Sequence, residues 1–265
     1  MNIYIELTKD FNSKKLRCIL SSGQAVVLHR LAIMSKDGDW ILKEDKESIQ
    51  FVLDVLSGYN ARYRFGAPLD IRWLSEGWSA HFEFSYNELR VRTDFVTRPP
   101  RITPDELAKL WAEQEQSPIP FIDAVRLADI KKTNREKDYV VIGELARQMA
   151  AVNNQFLYSR SARDLTALAE KYPDILNKCV NKRPLLKRIT DGLGKLETEL
   201  DAEKRKLIHL NEDRLSAYIN AARDFRKKWL EIEKEVKDLP LRDAHHIIVS
   251  QAEKFLPFRP GRGYK

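Results

Sequence analysis

Three aspartates have the residue type and spacing of a metal site. Asp37 and Asp39 flank Gly38, and Asp94 follows within residues 89–96. Carboxylates two residues apart on an extended strand point to the same face, about 7 Å apart at the backbone, and a third on a neighbouring strand would complete a site for two magnesium ions. Two such ions would neutralise the phosphates of a nucleoside triphosphate and activate an attacking oxygen. The pattern therefore indicates nucleotidyl transfer.

The acidic segment also fits a tight turn, in which Gly38 would adopt a positive φ angle. Its surroundings favour a strand. Residues 16–20 form a short apolar run, residues 25–31 indicate a short helix, residues 40–42 continue as a strand, and residues 48–56 carry apolar side chains at helical spacing. This order of strand, glycine turn, helix, acidic strand and helix predicts an α/β (α+β) fold with a mixed sheet and flanking helices.

Four short segments of the chain, taken together, match a pattern that is found in a known protein family. They are residues 22–29 (SGQAVVLH), 35–40 (SKDGDW), 77–82 (GWSAHF) with 91–94 (VRTD), and 127–139 (LADIKKTNREKDY). Together they resemble nucleotidyltransferase-fold proteins of the polymerase-β-like superfamily, especially those related to the bacterial AbiEii/AbiGii abortive-infection toxins. Gln24 departs from the family pattern, in which many members have a second Gly or a Ser, and Gly38 replaces an apolar residue.

The resemblance implies that three carboxylates hold two Mg²⁺ ions, which Mn²⁺ could replace. Asp37 and Asp39 would bridge both ions, while Asp94 would hold the catalytic ion and accept a proton from the incoming hydroxyl. Asp94 alternates with Val91, Thr93 and Phe95, so it lies on the opposite strand face from them. Which face carries the site is left open by this pattern.

The resemblance also implies five residues that bind the nucleotide. Ser22, Gly23 and Gln24 precede a helix, where free backbone N–H groups favour phosphate and a glycine lets it approach closely. Lys131 or Lys132 is expected to reach the β and γ phosphates.

Residues 127–139 look like the basic helix that follows the catalytic strands in the family. On one helix, Lys131 and Arg135 would share a face, and Lys137 and Asp138 are expected to form an internal ion pair. The alternative is a solvated basic helix face.

Histidines and cysteines contribute little further chemistry. His81 either lies near the site or is a hydrogen-bonded structural histidine, and His245–His246 lacks the spacing of a zinc site. Cys18 and Cys179 form no disulfide framework, which fits a reducing compartment. Without a basic leader or a run of about 20 apolar residues, the chain is expected to be a cytoplasmic protein that does not bind membranes.

The 265 residues are expected to divide into a catalytic domain (residues 1–150) and an all-helical domain (residues 151–265) that closes over the nucleotide. The second part holds the whole net charge of +7 and is expected to form a long helix across residues 193–236. An apolar stripe along it is expected to pack on its own domain rather than on a coiled-coil partner. The stripe is Leu215, Tyr218, Ala222, Phe225, Trp229, Ile232 and Val236.

The hypothesis that the sequence favours is a magnesium-dependent nucleotidyltransferase. It would move a nucleotidyl group from a triphosphate such as ATP to tRNA or to a protein, and the resemblance adds a role in phage defence or a toxin–antitoxin pair. RNA would lie on basic residues 223–228 and 259–265, which otherwise are solvated surface. One alternative is a catalytically silent nucleotide-binding or protein-interaction module. Another is a structural helical partner protein whose acidic pair is only a turn.

Overall fold

The computed structural model describes residues 2–260 and contains a mixed five-stranded sheet with flanking helices, followed by a helical C-terminal region. The expected α/β fold class is confirmed. The strands are β1 (Cys18–Ser21), β2 (Asp37–Leu42), β3 (Arg62–Tyr63), β4 (Ala80–Tyr86) and β5 (Leu89–Val96). Their spatial order is β1-β2-β5-β4-β3, with β2 and β5 parallel and the other neighbouring pairs antiparallel.

Helices surround the strands and make up the later part of the chain. Those before residue 123 are α1 (Ile3–Phe11), α2 (Ser22–Leu28), α3 (Lys46–Gly58), α4 (Ile71–Leu74) and α5 (Pro104–Gln114). Those after it are α6 (Ala124–Ile130), α7 (Glu136–Gln148), α8 (Val152–Tyr158), α9 (Ala162–Lys171), α10 (Pro173–Cys179), a 3₁₀ helix (Pro184–Asp191), α11 (Leu193–Ala221), α12 (Arg223–Val236) and α13 (Leu241–Phe255). Within residues 2–260, no helix has the length and apolar character needed to cross a membrane.

The chain divides into two compact units. The sheet unit holds residues 2–28, 32–122 and 214–260, and the helical unit holds residues 29–31 and 123–213. This division differs from the expected boundary at residue 150, because the last helices contribute their apolar faces to the sheet unit. Residues 261–265 of the predicted basic tail lie outside the described residues.

One face of the sheet is the core of the sheet unit. Trp40 on β2 stacks on Phe95 of β5, with ring centroids 5.5 Å apart, and Phe11 of α1 meets both rings edge-on. The indole Nε1 of Trp40 donates a hydrogen bond to Thr8 Oγ1 at 3.0 Å, so the one polar atom of this buried ring is satisfied. Alternation along β4 and β5 leaves the opposite face available for polar side chains.

The apolar stripe on the C-terminal helices packs within the sheet unit, whereas the sequence led us to expect that it would pack inside a separate all-helical domain. Its members from residue 222 onward are buried in the same core as the sheet, and Phe65 contacts Phe225 and Trp229 at centroid distances of 6.2 and 5.7 Å. The expected continuous helix is interrupted at Ala222, which separates α11 from α12. The stripe therefore stabilises the sheet from residues remote in sequence, and needs no second chain to cover it.

The helical unit has a separate apolar core and a buried ion-pair network. Its core includes Phe156, Leu165 and Leu196. Arg183 makes two bonds to the carboxylate of Glu203, at 3.1 and 2.7 Å, and its other donor atom bonds backbone oxygens. These paired hydrogen bonds satisfy charges that would be costly to bury alone.

His245 makes the stability of the sheet unit sensitive to acid. Its ring is hydrogen-bonded to Tyr63 Oη at 2.7 Å, and burial lowers the pKa of His245 from 6.5 to about 4. Because the folded state resists protonation, the unfolded state takes up the proton first as the pH falls. Stability is therefore present above pH 6.5 and is lost between pH 6.5 and 4, by roughly 2 kcal/mol at pH 5.

Urea unfolding of the wild type and His245→Gln at pH 7 and pH 5 measures this effect. The variant is expected to lose less stability between the two pH values than the wild type. His209→Gln, at an exposed position of α11 away from His245, is the matched control. An identical acid-dependent loss in the wild type and His245→Gln would contradict the assignment to His245.

Candidate active site

The parallel pairing of β2 with β5 brings the predicted aspartates onto one face of the sheet. Asp39 is the register partner of Asp94, while Asp37 lies two residues before Asp39 on β2. Ser21 on β1 partners Asp39, and His81 on β4 partners Asp94. Residues that are directly opposite on neighbouring strands point to the same side of the sheet. A polar row thus crosses four strands, on the face opposite Trp40 and Phe95.

Asp37 faces a guanidinium group rather than another carboxylate. Its register partner is Arg92, whose Nη1 lies 3.6 Å from Asp37 Oδ1. That distance is an ion pair but not a hydrogen bond, and Asp37 Oδ1 is buried without a hydrogen-bond partner. A buried carboxylate oxygen in this state is a ligand atom ready for a cation.

Asp94 is held through one of its two oxygens. His81 Nδ1 lies 2.7 Å from Asp94 Oδ1, and Arg64 Nη1 donates to the same oxygen at 3.3 Å. Arg64 also lies 4.0 Å from Glu83. The carboxylate is therefore oriented by two neighbours on the sheet.

The donor set fits magnesium in its chemistry and in its placement on the backbone. Carboxylate oxygens are the ligands that Mg²⁺ prefers, and the orphaned Oδ1 of Asp37 belongs to one of them. In the part of the chain that the structure describes, no three His, Cys, Asp or Glu side chains converge as a metal-binding group. Asp37 and Asp94 instead contact Arg92, Arg64 and His81. The magnesium site stays a prediction, and it needs these side chains to rotate away from their present partners.

Gly38 lies inside a paired strand, so the tight-turn alternative is wrong. It partners Thr93 of β5 and is not among the glycines with a positive φ angle. A Cβ atom at Gly38 would lie 2.3 Å from the Trp40 ring and 2.5 Å from the Tyr4 ring. The glycine between the aspartates is thus required by core packing on the reverse face, since a larger residue would collide with two aromatic rings.

The turn after β1 brings a strained residue and a glycine next to the acidic row. Ser22 adopts a left-handed conformation with φ 49°, which reverses the chain directly after Ser21. A Cβ atom at Gly23 would lie 2.2 Å from Ser35 Oγ, so this glycine allows the turn to approach the loop that leads into β2. The expected role of Ser22 and Gly23 in phosphate binding stays a prediction.

The side chain of Gln24 has a structural role that was not predicted from the sequence. Its side chain is buried, and its amide donates hydrogen bonds to the carbonyl oxygens of Ser35 at 2.9 Å and Asp37 at 3.3 Å. Asn2 in turn donates to Gln24 Oε1 at 3.4 Å. The side chain expected to bind nucleotide therefore fixes the start of β2, and nucleotide contact by this residue stays a prediction.

Lys131 and Lys132 both have acidic partners in the helical unit. Lys131 is buried and lies 3.4 Å from Asp138 Oδ1, while Lys132 lies 2.5 Å from Asp129 Oδ1. Lys132 also lies over the ring of Tyr158, 4.7 Å from its centroid. Their role as triphosphate ligands stays a prediction, and neither lysine is a freely solvated cation.

The expected basic helix across residues 127–139 is wrong. Helix α6 ends at Ile130 and α7 begins at Glu136, so residues 131–135 form the connection between them. The expected Lys137–Asp138 pair is also wrong, because the buried carboxylate of Asp138 contacts Lys131, Thr133 and Arg135. A buried carboxylate needs several donors, and a bent connection supplies them from one side.

Sequence reasoning missed three polar residues on the acidic face of the sheet. Arg92 and Arg64 contact Asp37 and Asp94, and Ser79 is hydrogen-bonded to His81 at 2.8 Å. Arg92 was detectable, since it lies two residues before Asp94 and therefore on the same strand face. Ser79 lies two residues before His81 and was detectable in the same way, whereas Arg64 carries no such local signal.

Comparison with known proteins finds a similar solved structure and no matching family. No model of a known protein family and no curated protein matches the chain. The crystal structure of a presumed nucleotidyltransferase from H. pylori is similar, with 12% sequence identity and a TM-score of 0.39, over 79% of this chain and 95% of that chain.

Proposed function

We propose that this protein is a magnesium-dependent nucleotidyltransferase. The observation that carries the proposal is the register of β2 and β5, which sets Asp39 directly beside Asp94 with Asp37 on the same face. The buried, unbonded Oδ1 of Asp37 supports a cation at this position. Arg92 and Arg64 balance the charges of Asp37 and Asp94 in this structure, and a divalent cation would take over that role at the carboxylates.

The proposed chemistry assigns a separate task to each carboxylate. Magnesium, when bound, neutralises charge on the phosphates and activates the attacking oxygen. Asp37 and Asp39 would hold both ions, and Asp94 would hold one ion and accept the proton of the incoming hydroxyl. The α-phosphorus would then form its bond to the acceptor oxygen, and pyrophosphate would leave.

Arginines on the same sheet face offer contacts for the phosphates. Arg92 and Arg64 neutralise Asp37 and Asp94 in this structure. Once cations replace them on the carboxylates, their guanidinium groups would be free to contact the triphosphate, for which planar paired donors are well suited. This arrangement adds to the predicted contacts from Ser22, Gly23 and Gln24 in the sheet unit.

The acceptor that charge favours is a nucleic acid. The whole excess of +7 lies in residues 151–265, and basic surfaces attract the phosphate backbone. Among nucleic acids tRNA is the candidate, which agrees with the resemblance to abortive-infection toxins and with a role in phage defence or in a toxin–antitoxin pair. Labelling of a protein in place of RNA would support a protein acceptor.

The test is transfer of label from α-³²P-labelled triphosphates. Each of the four is incubated with the protein, Mg²⁺ or Mn²⁺, and either total tRNA or cellular protein. A covalently labelled acceptor, formed only with a divalent cation, is the expected result. Tight binding of one triphosphate without any transfer would favour the silent nucleotide-binding module, and absence of both would end the proposal.

A further inference from the structure

His81 is the central member of a hydrogen-bonded chain that ends on a predicted metal ligand. Ser79 Oγ lies 2.8 Å from His81 Nε2, and His81 Nδ1 lies 2.7 Å from Asp94 Oδ1. Ser79 and His81 are two residues apart and therefore point to one face, and His81 is the register partner of Asp94. Strand pairing aligns His81 with Asp94, while Ser79 lies directly before β4 and reaches the other side of the imidazole.

The contacts determine which proton each group carries when the imidazole is neutral. An ionised carboxylate only accepts hydrogen bonds, so the bond to Asp94 requires the proton on Nδ1. Nε2 then accepts the hydroxyl proton of Ser79. The carboxylate of Asp94 therefore fixes the tautomer of His81, and the hydroxyl of Ser79 adapts by donating to the other ring nitrogen.

The imidazole is also confined by the backbone of the neighbouring segment. A Cβ atom at Gly66 would lie 2.4 Å from His81 Cδ2, which shows how closely the chain passes the ring. The backbone around it is held by hydrogen bonds from Arg64 N to His81 O at 2.9 Å and from Ala67 N to Ser79 O at 3.1 Å. A ring enclosed in this way has little freedom to change its direction.

Both groups that hold Asp94 use the same oxygen. His81 Nδ1 and Arg64 Nη1 contact Oδ1, so Oδ2 is the oxygen that can turn to a cation without breaking the bond to His81. Carboxylates that ligate metals are commonly held through hydrogen bonds from neighbouring groups, and loss of such a bond lowers metal affinity about 10- to 100-fold.

We propose that His81 is a positioning residue that presents Oδ2 of Asp94 to a divalent cation, with Ser79 orienting the imidazole. This inference rests on the proposed function, because Asp94 is one of the three carboxylates that are proposed to hold the metal ions. The hydrogen-bonded series Ser79–His81–Asp94 also resembles a Ser–His–Asp catalytic triad, in which Ser79 would be a nucleophile. The ion pair between Arg64 and Asp94, on the oxygen that His81 also holds, favours the positioning role.

The test measures the affinity of the whole chain for Mn²⁺. Electron paramagnetic resonance detects the free ion during the titration. His81→Ala is expected to weaken Mn²⁺ binding about 10- to 100-fold. His81→Asn should remain within about threefold of the wild type, because the amide nitrogen of Asn can donate from near the position of Nδ1. Ser79→Ala should cost less than His81→Ala, and the exposed His246→Ala is the matched control. Thermal unfolding of every variant shows whether the fold is retained.

The outcomes separate this inference from the proposed function. If the wild type binds no Mn²⁺, or Asp94→Asn binds it unchanged, the metal site itself fails and the positioning role fails with it. If Asp94→Asn loses binding while His81→Ala keeps it, or if Asn at position 81 is no better than Ala, only the positioning role is overturned. Complete loss of transfer in Ser79→Ala, together with label on Ser79 in the wild type, would replace positioning by nucleophilic catalysis.

Discussion

Replacing Asp39 by Asn is expected to reduce nucleotidyl transfer by more than about 100-fold, because even a group that only supports a metal ligand is commonly worth 10- to 100-fold. The substitution removes one negative charge at the centre of the polar row and leaves the shape of the side chain nearly unchanged. Asp94→Asn is expected to have an effect of similar size. The rate of label transfer to tRNA at saturating triphosphate measures both losses.

Stability measurements accompany these assays, since a misfolded variant would also be inactive. The candidate metal ligands lie on the polar side of the sheet, away from the buried rings of Trp40 and Phe95. Thermal unfolding of Asp39→Asn should therefore stay close to that of the wild type. The exposed Glu88, in the turn between β4 and β5, provides Glu88→Gln as a charge-matched control that should transfer normally. Undiminished transfer in Asp39→Asn would show that the acidic row is not the reaction centre.

Gly38→Ala is expected to destabilise the protein by about 1–3 kcal/mol through overpacking. The added Cβ would meet the rings of Trp40 and Tyr4 at 2.3 and 2.5 Å. Trp40 cannot retreat easily, because it is fully buried and its Nε1 is hydrogen-bonded to Thr8. The free energy of unfolding from urea titration measures the cost.

A second glycine supplies the control for this substitution. Gly58 ends α3 and has no heavy atom within 4 Å of an added Cβ, so Gly58→Ala has no collision to relieve. It is expected to be neutral or to stabilise the protein by about 0.4–1 kcal/mol through the lower entropy of the unfolded chain. Equal stability of Gly38→Ala and the wild type would contradict the packing explanation. It would instead favour a role for Gly38 in giving the backbone freedom between the two aspartates.

Local patterns in the sequence determined the order of elements and the face of each strand. The apolar strand before Ser22 and the acidic strand were predicted correctly, whereas Ser22 and Gly23, predicted as a turn, lie at the start of α2. The placement of Asp94 opposite Val91, Thr93 and Phe95, all of which are buried, was also predicted correctly. These features depend on how often side chains return to the same face, which is every two residues in a strand and every three to four in a helix. A short segment of the chain contains several such repeats.

The tertiary structure decided which of these residues meet. The pairing of Asp39 with Asp94 depends on β2 and β5 lying side by side in parallel, and no local pattern specifies such a register. The same holds for the ion pairs of Lys131 with Asp138 and of Arg64 with Asp94, whose partners are selected by burial and proximity in the folded chain. Sequence periodicity sets the direction of a side chain within its own element, whereas long-range packing sets its neighbours, and a catalytic site consists of neighbours.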